Sequence, residues 1–159
     1  MSALAPTVPA MSLYHPWRRL RDLVDVTLHW HDGGVAGWCR HSTQDVSLRR
    51  GMTQAERRST ICHEMVHLER GPAVKGYIAW DEREVSKEAA RRLLPDVRAV
   101  GEALAWASCL EEAADELWVD LGTLRVRLEH LHPAERGYLK RRLEDQDEGS
   151  TEDHLDQRG

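Results

Sequence analysis

His63-Glu64-Met65-Val66-His67 sets two imidazoles and a carboxylate at a spacing that an α-helix turns into a shared face. Each helical residue advances by about 100° and 1.5 Å, so His63 and His67 fall about 40° and 6 Å apart and can reach one ion. Glu64 stands beside that face, where a carboxylate can take a proton from metal-activated water without ligating the metal. The chemistry such a trio implies is zinc-assisted hydrolysis, most often of a peptide bond.

The flanks of the motif favour a helix. Thr53-Gln54-Ala55-Glu56 is a capping-box pattern, which supplies acceptors for the free amides of a helix start. Gly71-Pro72 stops that helix. Between them, Ala55, Ser59, Cys62 and Val66, with Ile61, Met65 and Leu68, recur at three- and four-residue spacings and form a wide apolar stripe beside the histidines. Zinc in a catalytic site takes three protein ligands and leaves the fourth position to water. A second helix is expected from Asp81 to Pro95, with Val85, Ala89, Ala90, Leu93 and Leu94 inward; the alternative for Glu84 is a third helical residue that reaches back to the amide of a capping Asp81. Glu84 and Glu88, one turn apart, both flank its inner face, and either could supply the third ligand.

With these two helices set out, the chain resembles the ImmA/IrrE family of zinc metallo-endopeptidases. In that family a His-Glu-x-x-His helix is followed by a helix of the form Glu-Ala-Asn-x-x-Ala-Ala-x-Leu-Leu-x-Pro, and Glu84 to Pro95 is the corresponding stretch. Val85 and Ser86 stand in place of Ala-Asn, and Glu88 in place of an aromatic residue. The resemblance covers about residues 20 to 132. It implies zinc held by His63, His67 and Glu84, with Glu64 as general base, on a zincin-like α+β fold whose small antiparallel sheet packs on the motif helix. It implies as substrate a specific partner protein, a helix-turn-helix transcriptional repressor of a phage, mobile element or stress response. The competing reading is a non-catalytic regulator that keeps a structural metal site and acts on a repressor or on DNA by contact alone.

The 159 residues suffice for one modest core. Phe is absent, so six Trp and the aliphatic residues must fill it. Cys39, Cys62 and Cys109 form no CxxC pair and are odd in number, which favours reduced thiols and a cytoplasmic setting over a disulfide framework. Cys62 reads as a small core residue despite its place beside His63. No apolar run approaches a membrane span and no signal-peptide core is evident.

The net charge of −5 is local. Residues 144–159 hold seven acidic groups and one Arg, which leaves the body nearly neutral; this tail is expected to be disordered. Residues 1–16, with Pro6, Pro9 and Pro16, read as a flexible arm. The catalytic unit is expected over residues 17–100: a helix from Trp17 to Val24, strands at Val26–Trp30, Val35–Cys39 and Val46–Leu48, and a hairpin turn at Asp32-Gly33-Gly34. His29 and His31 share one strand face and read as hydrogen-bonded side chains, with no third ligand for a second ion. Residues 101–143 have helix-turn-helix spacing, with Asp120 capping the second helix and Trp118 where such turns often carry Gly. Their six basic and eight acidic groups match phosphate poorly, so direct DNA binding is not expected and packing against the catalytic unit or a partner is. Tyr77 and His41 have the chemistry of an oxyanion donor, but the sequence does not single one out.

Overall fold

The computed structural model describes residues 14–23 and 25–152, with side chains as far as residue 146. Three strands and seven helices follow one another in the order α1 (Pro16–Asp22), β1 (Thr27–His31), β2 (Gly37–Arg40), β3 (Asp45–Arg49), α2 (Gln54–Arg70), α3 (Ile78–Leu93), α4 (Val97–Trp106), α5 (Leu110–Glu116), α6 (Leu121–Glu129) and α7 (Pro133–Glu152). The class is α+β.

Helix α2 carries the histidine motif and owes its limits to local chemistry. The Thr53 hydroxyl accepts from the Glu56 amide at 3.2 Å, and the Glu56 carboxylate accepts from the Thr53 amide at 2.7 Å, so the capping box closes on both sides. At the other end Gly71 adopts φ +83°, a conformation that side chains disfavour. The apolar residues of α2 divide between two cores. Ile61 and Met65 pack with Val46, Leu48 and Met52 under the sheet and α1, while Cys62 and Val66 pack with Val85, Ala89, Leu93, Val100, Ala113 and Leu124 of the other helices. Each such aliphatic side chain stabilises the fold by about 1.5–3 kcal/mol. With two faces buried, the histidines are left on the edge that turns toward α3.

The sheet departs from the sequence expectation. Its order is β1-β3-β2, with β1 parallel to β3 and β2 antiparallel to it, so it is mixed and not antiparallel. Asp32-Gly33-Gly34 does not close a hairpin between neighbours. Gly33 and Gly34 take φ +67° and +71° within a link from Asp32 to Ala36 that is too long for a two-residue turn. The strand buried on both faces claims the centre: Val46, Ser47 and Leu48 are all within 1% of full burial, whereas β1 and β2 keep exposed positions. Ser47 is satisfied by donating to His31 Nδ1 at 2.7 Å, and the His31 Nε2–H donates to the Val35 carbonyl at 3.0 Å.

The later helices share one core with α3. Val85 and Leu124 lie in the same cluster, and α4 runs through residue 100, where a domain limit was expected. The α5–α6 turn has the anticipated form: Asp120 accepts from the Thr123 amide at 2.7 Å, and Trp118 takes the left-handed conformation at φ +58° that glycine usually fills. The buried Arg58 donates to the Trp118 carbonyl at 2.9 Å. Tyr14 packs against the core, so the arm ends before residue 16; residues 1–13 lie outside the described part. Helix α7 extends to Glu152, through much of the tail expected to be disordered, and residues 153–159 lie outside the described part.

A buried ion pair fastens α7 to α3 and α6. Arg127, 1% exposed, donates from Nε to the Leu94 carbonyl at 2.7 Å and from Nη2 to Glu135 at 2.7 Å. Arg91 adds two bonds to the same carboxylate at 3.2 Å. The Arg127 guanidinium, with help from Arg91 and the His132 amide, holds the Glu135 carboxyl well below the usual range against the opposing effect of burial. Removing one partner of a buried pair leaves the other uncompensated, so Glu135→Ala should cost about 3 kcal/mol. Denaturant melts of Glu135→Ala and of Arg142→Ala, whose pair with Glu102 is largely exposed, should show the second losing less than about 1 kcal/mol. Because the folded carboxyl is the stronger acid, the stability Glu135 contributes is complete above about pH 4.5 and fades as pH falls below it.

Candidate metal centre

His63 and His67 lie on successive turns near the end of α2 with their Nε2 atoms 3.2 Å apart. The link through Gly71 and Gly76, at φ +83° and +90°, turns the chain back, and the first turn of α3 meets the last turns of α2. There Glu82 presents Oε1 at 2.8 Å from His63 Nε2 and Oε2 at 3.0 Å from His67 Nε2. Bonds of 2.0–2.1 Å to a tetrahedral zinc separate its ligand atoms by about 3.3 Å, so these three side chains converge to slightly less than the spacing of metal ligands. Two imidazoles and a carboxylate are also the donor set that this ion takes in hydrolytic sites. Burial pushes the His63 imidazole toward its neutral form, with Glu82 opposing and His67 adding to the shift; the neutral ring is the form that ligates.

The structure brings His63 and His67 together with Glu82 and not with Glu84. Two helical residues later means about 200° of rotation, so Glu82 and Glu84 cannot face the same ion. Glu84 lies 3.8 Å from Lys87. Glu88 pairs with Arg92 and stands 3.7 Å from Arg70. The sequence reading placed the helix start at Asp81, but α3 begins at Ile78 after Tyr77, whose side chain makes no cap. That offset of three residues moves Asp81 and Glu82 from the helix end onto the face that meets α2.

Asp81 has a role that the sequence reading missed. It is 8% exposed, and its Oδ1 accepts from Arg70 Nη2 at 3.0 Å. Its Oδ2 is buried with no hydrogen-bond partner among the described residues and lies 3.9 Å from His67 Nδ1. A carboxylate behind a ligating histidine fixes the ring and raises its basicity. From the other side His41 donates through Nε2 to the His67 carbonyl at 2.9 Å. That bond makes it a support of the α2 terminus. Tyr77 is exposed.

Glu64, 6% exposed, lies between α2 and strand β2. A methyl group built on Gly37 would approach its Cγ and Oε1 to 3.2 Å and the Thr60 methyl to 2.5 Å, so only glycine lets β2 sit this close. Burial, seconded by the Glu82 charge, pushes the Glu64 carboxyl up to about 7, while the Cys39 thiol pulls it down. Burial and the Glu64 charge push that thiol up to about 12, which keeps it a protonated donor. Cys62 is fully buried, 3.8 Å from the Ala89 carbonyl, and packs in the core. His29 donates to Asp45 at 3.0 Å.

No protein-family model, curated protein or solved structure matches the chain. Among the described residues His63, His67 and Glu82 are the group whose donor atoms converge as metal ligands do. Zinc titrated into the wild-type chain by calorimetry should bind at one equivalent. Glu82→Ala should remove that binding and Glu84→Ala should keep it, while Asp81→Asn should weaken it about 10- to 100-fold. Loss with Glu84→Ala and retention with Glu82→Ala would reverse the assignment.

Proposed function

We propose that this chain is a zinc-dependent metallo-endopeptidase of the zincin type, similar to the ImmA/IrrE family, that cuts a peptide bond in one partner protein. The observation that carries the reading is the convergence of His63, His67 and Glu82 with a buried carboxylate, Glu64, on the next residue of the same helix. A structural site has no need of that carboxylate. Zinc, when bound, supplies a Lewis acid that acidifies water and polarises the scissile carbonyl. Glu64 takes the proton of the attacking water and passes it to the leaving amine. Asp81 orients the His67 ring. Among the described residues strand β2 pairs with β3 on one side, and its other edge can pair with an extended substrate backbone.

The preferred substrate is a helix-turn-helix transcriptional repressor, a proposal that stands on the resemblance of the two helical motifs. Action on protein and not on DNA accords with the charges of α6: Arg127 is buried on Glu135, and Arg125 alone of its basic residues is exposed. No described helix is long and apolar enough to cross a membrane.

Purified chain loaded with zinc and mixed with candidate repressors should yield one defined fragment. Chelator should abolish it, and Glu64→Gln should slow it by at least about 100-fold while zinc remains bound. Repressors left intact by the zinc-loaded wild type under all conditions would contradict the reading.

A further inference from the structure

A cleft of about 260 Å³ opens beside His63, between α2, α3 and the first two turns of α6. It is smaller than the roughly 300–1,000 Å³ of sites that enclose whole small molecules, and suits a single side chain. Ala89 and Val126 give it apolar walls, Ser59, Ser86 and Thr123 bring hydroxyls, and Asp120 is the one acidic residue among its lining. No Lys or Arg is among the described residues that line it.

The ends of this cleft decide which charge it favours. The N-terminus of α6 would attract an anion, but Asp120 already occupies it, with Oδ1 on the Thr123 amide at 2.7 Å. A helix end carries about half a positive charge, less than the full charge of that carboxylate. Asp120 is itself held in place, since its backbone amide donates to Ser59 Oγ at 3.0 Å. Among the described residues its Oδ2 accepts no hydrogen bond.

We propose that this cleft is the subsite for the substrate side chain that flanks the scissile bond, and that it takes a basic side chain, lysine or arginine. The aliphatic stem lies along Ala89 and Val126, the hydroxyls of Ser59, Ser86 and Thr123 accept from its head, and Asp120 Oδ2 pairs with its charge. The assignment rests on the peptidase reading of the neighbouring metal centre. It gives the helical part of the chain a share in specificity, because α6 supplies one wall.

Two measurements separate this proposal from the reading beneath it. In the first, n-propylguanidine, n-butylamine and propionate are titrated into the full chain and the Gly122 and Thr123 amides are followed by NMR. The two cations should give saturable shifts and propionate none. Asp120→Asn keeps a capping side chain of equal quality and should weaken the cations by about tenfold or more. In the second, a randomised peptide library digested by the zinc-loaded chain should be cut beside Lys or Arg, and Asp120→Asn should reduce that preference by a similar factor. Cleavage without a basic preference, or cation binding indifferent to Asp120→Asn, overturns the subsite. Cation binding lost in Asp120→Asn, together with both the library and the candidate repressors left uncut by the zinc-loaded wild type, upholds the cleft and overturns the peptidase reading.

Discussion

Burial of α2 on two sides is the constraint on which the rest of the structure depends. A helix that packs on one core can rotate about its axis at modest cost, but Ile61 and Met65 are fixed against the sheet while Cys62 and Val66 are fixed against the later helices. That double anchoring sets the azimuth of His63 and His67. Both imidazoles then point along the single remaining edge, where α3 brings Glu82 to within 3.0 Å of each.

Packing also explains where Glu64 lies. Strand β2 approaches α2 through Gly37, and the missing side chain there leaves room for Glu64 against the sheet. The same contact that removes Glu64 from water raises its affinity for protons. On the opposite side Asp81, tethered by Arg70, backs the His67 ring. Sheet, central helix and returning helix each hold one part of the centre in place, so none of the three can be shifted without moving a functional group.

Much of this was legible in the chain. Thr53, Glu56 and Gly71 mark the ends of α2 because caps act within a few residues and need no tertiary partner. The apolar spacing marked the inner faces for the same reason, and Asp120 announced α6. Strand order was not legible, because the choice of β3 as the central strand depends on which strand is covered from both sides. Glu82 was not legible either. It depends on where α3 begins, and the uncapped start at Ile78 carries no local signal, whereas Asp81 offers a false one. The resemblance pointed to Glu84, two residues away, which the structure sets beside Lys87 and not with the two histidines. Helical content in the acidic stretch after Glu144 was hidden by its composition, which reports on charge and solubility and not on continuation of a helix already nucleated at Pro133.

The central claim is that one ion is gripped by His63, His67 and Glu82. Diffraction at the zinc absorption edge from crystals of the zinc-loaded chain tests it most directly. The account predicts a single anomalous peak with two imidazole nitrogens and a Glu82 oxygen at about 2.0–2.2 Å, and with Glu84 turned away. A peak coordinated by Glu84 or Glu88, or zinc bound anywhere but between these two histidines, would contradict it.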